Sequence, residues 1–334
     1  MLSTYLGIFY AIGLSYRFGY ANAGEPPLKC PRMCTCQGLI SIKCSKLTSA
    51  DLEILFNLLG DHRYTELLQN LSITYSTLKD LTQFPPFNQL IYLDLSNNEI
   101  IHTDTPKPFS LSSVVFLDLR YNSFNSINRD SFLMFPNVEE VRLEHNKIFS
   151  IDWEAFRLFK LRKLYISNNY LPTVSEHMLR FTPNLEVLDL SHNQLTAAQS
   201  SSFFSAQRLS FLDLSHNRMQ RFDYDSFSPL YQLETLDLSF NNFSTIPGGD
   251  LRQMIGLRVL NFSGNPFEKI TAGDFVQPAL QVLDVSYCPK LRLIESRAFL
   301  KLPNLHTVNL SNNPSLVFIS PNAFENNSLI FEYV

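Results

Sequence analysis

From residue 68 to the end, the string L-x-x-L-x-L-x-x-N returns at spacings of 22 to 25 residues, which restricts the chain to a stack of similar turns. The repeats start at Leu68, Leu90, Val114, Val138, Leu161, Leu185, Leu209, Leu233, Leu257, Leu280 and Leu305. Eight residues after each start stand Ser76, Asn98, Asn122, Asn146, Asn169, Asn193, Asn217, Asn241, Asn265, Cys288 and Asn313. Asn is only 27 of 334 residues, yet it fills nine of these eleven slots, so the column is imposed by structure.

Each column has a physical reason. The L-x-L core predicts a short strand whose alternate side chains face inward, so Leu93/Leu95, Leu188/Leu190 and Leu236/Leu238 share one interior. Stacked repeats then lay their strands side by side as a parallel sheet. Where the chain leaves the strand, an Asn amide supplies donors and an acceptor to backbone groups that burial would orphan. Cys288 in that column reads as a small buried substitute rather than a reactive thiol. A second column lies on the return leg: Phe132, Phe156, Leu179, Phe203, Phe227, Leu251 and Phe275, then Phe299 and Phe324 after one extra residue each. Such a stack is core packing, and it absorbs many of the chain's 28 phenylalanines.

The N-terminus has a different character. Leu6–Leu14 is an apolar run too short to span a bilayer, and Ala21-Asn22-Ala23 before Gly24 reads as a peptidase site. Residues 1–23 are therefore expected to be a signal peptide, although no Lys or Arg precedes the run. Cys30, Cys34, Cys36 and Cys44 follow directly, in the pattern C-x3-C-x-C-x7-C. In an exported protein they predict two disulfides, whereas the single-residue gap between Cys34 and Cys36 suits zinc poorly; four cysteines allow three connectivities. Three segments follow: signal peptide 1–23, disulfide-bonded cap 24–67, and repeats 68–334, eleven complete plus the start of a twelfth at Leu329. With no cysteine-rich C-terminal cap after that start, the chain reads as a truncated form of a longer protein. The lost sequence could hold a membrane anchor.

These residues resemble extracellular leucine-rich-repeat proteins of the typical 24-residue class with a cysteine-bearing N-terminal cap. The resemblance covers residues 30–334. It implies an α/β-type repeat solenoid: a horseshoe with a parallel sheet on the concave face and an irregular, short-helical convex side. In similar caps the first cysteine pairs with the third and the second with the fourth, which implies Cys30–Cys36 and Cys34–Cys44. Receptors, adhesion proteins and matrix proteins of this class fit equally well, so function has to come from the sites.

Catalytic signatures are absent: the sequence has no HExxH, GxSxG, GxxxxGK[ST] or GxGxxG. Gly248-Gly249-Asp250 reads as a turn. Asp94, Asp118, Asp189, Asp213, Asp237 and Asp284 share one outward strand slot of the recurrent LDLS string, which accounts for them without acid–base chemistry. His192 and His216 share a column in neighbouring repeats, about 5 Å apart, but lack further ligands for a metal site. No cofactor or metal is expected, and a net charge of −4 argues against nucleic acid as partner.

A binding surface remains. Outward strand positions in the second to seventh repeats combine aromatic and charged side chains, the composition of protein–protein hot spots: Tyr92, Phe116, Asp118, Tyr121, Glu140, Arg142, Lys163, Tyr165, Asp189, Phe211 and Asp213. The field along them runs from acidic through mixed and back to acidic. N-x-S sequons stand at Asn70, Asn242, Asn261, Asn309 and Asn326; those on the strands of the first, ninth and eleventh repeats bracket this stretch without entering it. The sequence thus predicts a non-enzymatic module, secreted or at the cell surface, that docks an extracellular or cell-surface protein on its concave face. A structural matrix protein organising fibrous or glycan-bearing partners is the alternative.

Overall fold

A computed structural model describes residues 30–103, 110–175, 177–223, 225–228 and 230–325. The expected signal peptide, the sequon at Asn326 and the opening of a twelfth repeat lie outside these residues. The described residues from Pro31 onward form one compact unit.

Its spine is a thirteen-stranded sheet. Eleven of the strands are the predicted repeat strands: Asn70–Thr74, Tyr92–Asp94, Phe116–Asp118, Glu140–Arg142, Lys163–Tyr165, Val187–Asp189, Phe211–Asp213, Thr235–Asp237, Val259–Asn261, Val282–Asp284 and Thr307–Asn309. All run parallel and in register, so Tyr92 pairs with Phe116, Arg142 with Tyr165, and Asp189 with Asp213. The inner L-x-L side chains are almost fully buried from the first to the tenth repeat, and Leu310 in the eleventh is half-buried.

The sheet begins inside the cap. Strand Cys34–Gln37 is antiparallel to Ser41–Ser45, and Ser41–Ser45 is already parallel to Asn70–Thr74. The cap therefore covers the first repeat's edge with a strand of the same direction, which removes an open template for pairing. Its return leg is two helices, Ser49–Leu59 and His62–Leu67. The first starts at a capping box in which the Thr48 side chain accepts from the Asp51 N–H while Asp51 accepts from the Thr48 N–H. All four N-terminal cysteines are disulfide-bonded, and Cys34 is joined to Cys44, a pair that the resemblance implied.

On the return side the structure adds short parallel strands to the irregular connections. Ser126–Ile127 pairs with Ser150–Ile151, and Lys269–Ile270, Leu293–Ile294 and Phe318–Ile319 form a three-stranded ribbon. Behind them the phenylalanines stack, with Phe132 and Phe156 at 5.5 Å and Phe203 and Phe227 at 5.1 Å between centroids. Gly248–Gly249–Asp250 is not a plain turn but opens a four-residue helix ending at Leu251. Gly248 is needed because a Cβ there would lie 2.6 Å from the Asp274 carbonyl oxygen.

The Asn column behaves as expected. Asn193 Nδ2 donates to the carbonyls of Leu190 and Ile166, in its own repeat and the one before, and its Oδ1 accepts from the Leu171 N–H. Asn122, Asn146, Asn169, Asn217, Asn241 and Asn265 repeat the scheme. Ser76 substitutes by accepting from the Leu47 N–H. Cys288 is buried and free, with burial pushing its thiol up to about 12.

Candidate functional site

On the open face, the outward Asp column first serves the backbone. Asp94, Asp189, Asp213, Asp237 and Asp284 each accept, through Oδ1, from the N–H two residues on. This Asx turn steers the chain out of the strand, which is why the slot is Asp or Asn in repeat after repeat. Asn261 and Asn309 make the same bond, and their Nδ2 atoms donate to the Asp237 and Asp284 carboxylates at 2.8 and 2.9 Å. Of the sequon asparagines described, Asn242 is the exposed one.

The second to fifth repeats gather most of the predicted site, and the fourth and fifth put Arg142 and Tyr165 in place of the column's Asp. Parallel register stacks Tyr92 on Phe116 with centroids 4.5 Å apart and planes 4° from parallel. Arg142 replaces Asp in the outward column, and its guanidinium lies over both Phe116 (5.2 Å) and Tyr165 (5.4 Å). Glu140 anchors it, accepting from Arg142 Nε at 2.8 Å, and also pairs with Lys163 at 3.4 Å. An aromatic–guanidinium–aromatic layer is thereby locked in place before any partner arrives. Asp189, Phe211 and Asp213 continue along the face in the next two strands.

Two predicted contacts are placed differently. Asp118 is 1% exposed: Arg120 covers it with a bidentate ion pair of 2.6 Å, so it offers no carboxylate to a partner. Tyr121 lies past the strand, at φ 53°, and stacks on His145 at 4.3 Å. It belongs to a separate row in left-handed backbone, continued by His192, His216 and Phe240 at 4.1 and 4.6 Å. The two histidines are stacked rings; among the described residues no cluster could hold a metal ion. Burial, then the neighbouring His192, lowers the His216 pKa.

Arg120 and Glu144 join the site without having been singled out. They occupy the slot held by Ser in Ser96, Ser167, Ser191 and Ser215, and that break in the LDLS string was the available signal. Burial raises Glu144 to about 7, against the pull of Arg120 and Arg142, and its Oε2 has no hydrogen-bond partner. Further along, burial, followed by Asp237 and Asp189 in the flanking strands, raises Asp213 to about 6.

Comparison with known proteins places this architecture. The leucine-rich-repeat family model matches residues 88–148, 136–195, 183–243, 231–289 and 278–332, more than half of the chain. The chain belongs to the leucine-rich-repeat family. This leucine-rich-repeat protein is 32% identical over 166 residues to lumican of Gallus gallus, covering 48% of this chain and 43% of lumican. It is 33% identical over 162 residues to tsukushi of the same species, covering 48% and 42%. The chain thus spans less than half the length of these relatives. Among solved structures it matches one titled an octameric complex of Latrophilin 3, Unc5D and the leucine-rich-repeat part of FLRT2. There the TM-score is 0.70 at 19% identity, over 91% of this chain and 92% of the other, a likeness of fold. No helix among the described residues is long and apolar enough to cross a membrane.

Proposed function

We propose that the chain is a non-enzymatic extracellular module, secreted or held at a cell surface, that docks a protein partner on the open, concave face of its second to seventh repeats. The observation that carries this reading is Arg142, held between Phe116 and Tyr165 and tethered by Glu140. Arginine and tyrosine are the residues most enriched in binding hot spots, and pre-ordering them lowers the entropy cost of association. The disulfide-bonded cap fits an oxidising compartment. In this reading residues 1–23 are a leader, 24–67 the cap and 68–334 the repeats, with glycans on the sequons bracketing the docking stretch.

The test is a binding screen of the glycosylated chain against cell-surface and secreted proteins, then titration of the partner found. Arg142→Ala or Tyr165→Ala is expected to weaken binding by about 1–3 kcal/mol, with thermal stability changed by less than about 1 kcal/mol. Arg297→Ala, on the return side, serves as control. Normal binding by both open-face variants, with loss in the control, would move the docking surface to the other side.

A further inference from the structure

The return side of the third to fifth repeats carries a surface that open-face docking leaves unused. At its centre is Glu154, 8% exposed, whose Oε2 is approached by Arg129 at 2.5 Å and Arg157 at 3.8 Å. Arg129 also lies over the Trp153 ring at 5.7 Å, while Arg157 and Arg180 each lie over Phe181 at 5.7 Å. Trp153 is 46% exposed. Between Arg129 and Arg157 opens a cleft of about 50 Å³. One guanidinium comes from each of three consecutive repeats, so the arginines form a row along the stack.

Two guanidiniums thus flank a single enclosed carboxylate and a third, Arg180, follows across the Phe181 ring, with Asp130 and Asp152 exposed on the same turns. Each guanidinium has five N–H donors in a flat fork that matches sulfate and carboxylate oxygens, and stacking on rings fixes that fork in advance. Flat aromatic faces beside such forks also suit the apolar faces of sugar rings. We propose that this row is a docking site for a sulfated polysaccharide running along the repeat axis, its sulfates on Arg129, Arg157 and Arg180 and a sugar ring against Trp153. A linear row suits a linear polyanion. The choice of polyanion rests on the extracellular setting proposed above, with which the disulfide-bonded cysteines agree and where sulfated glycans, rather than nucleic acids, are at hand.

Trp153 is the chain's one tryptophan, so its emission reports directly on the patch. The full chain, disulfides intact, is titrated with a size-defined heparin dodecasaccharide at several salt concentrations. A saturable emission change whose affinity falls with salt is expected. The triple variant Arg129→Gln, Glu154→Gln, Arg157→Gln removes the forks without orphaning a buried carboxylate, and should bind at least ten-fold more weakly. Arg180→Gln should weaken binding as well, and decides the matter if the triple variant does not fold. Asp130→Asn with Asp152→Asn should tighten binding, and Arg142→Ala on the open face should leave it unchanged. The proposal is overturned if the Arg variants bind normally or if Arg142→Ala loses affinity equally. It is also overturned if polyglutamate or single-stranded RNA of equal length binds as tightly as the oligosaccharide.

Discussion

A ladder asparagine does work that no other side chain of its size duplicates. Asn217 Nδ2 donates to the Leu190 and Leu214 carbonyls, and its Oδ1 accepts from the Leu195 N–H, all of them buried. Asn217→Ala should cost about 3 kcal/mol or more in urea unfolding, because several backbone groups lose their partners at once. Asp213 predicts the opposite direction. Its folded pKa of about 6 exceeds the ordinary aspartate value of 3.8, so the native state holds the proton more tightly than the unfolded chain does. Stability from this group is therefore greatest below about pH 4 and is lost as pH rises through 6. Asn261 and Asn309 show that an amide in this slot keeps the Asx turn. Asp213→Asn should accordingly raise stability at pH 7 by about 2 kcal/mol and flatten its decline between pH 4 and pH 7 in chemical denaturation.

At the scale of elements, the rows between neighbouring turns decide tolerance to change. The His192–His216–Phe240 row ends at Gly264, which has φ +69° and where a Cβ would lie 2.6 Å from the Phe240 ring. Gly264→Ala combines backbone strain with a displaced ring and should lower the melting midpoint, by about 2 kcal/mol of stability. The phenylalanine stack is less forgiving still. Phe203 is 0% exposed and lies 5.1 Å from Phe227, so Phe203→Ala opens a cavity worth about 3–5 kcal/mol by the same measurement.

Taken as a whole, the molecule is a one-dimensional stack in which each repeat buries its core only against its neighbours. The cap is the N-terminal terminus of that stack, and the Cys34–Cys44 bridge ties its two strands together across 10 residues. Reduction should cost about 2–3 kcal/mol. The loss should not be uniform: amide exchange should accelerate first at Ile42, Leu71 and Ile73 and leave Leu236 and Leu238 protected. Uniform acceleration along the chain would show a single cooperative unit instead.

The repeat strands, their register and the two structural columns were legible in the sequence because each depends on a spacing that recurs from repeat to repeat. A column such as Asn193–Asn217–Asn241 has only one arrangement that satisfies its buried amides. The composition of the open face was legible for the same reason, since alternation along a three-residue strand fixes which side chains point outward. What those side chains then do to one another was not. Whether Asp118 faced a partner or disappeared beneath Arg120, and whether Arg142 stood free or lay between Phe116 and Tyr165, depended on contacts across three strands. The row of Arg129, Arg157 and Arg180 came from return-leg positions outside the phenylalanine column, where packed rings and the buried Glu154 bring the guanidiniums into line. Periodicity determined the scaffold, because backbone groups buried in every turn demand the same partner each time. Tertiary packing decided the surfaces, because charge pairing and ring stacking depend on distances of a few ångströms between repeats that no single repeat encodes.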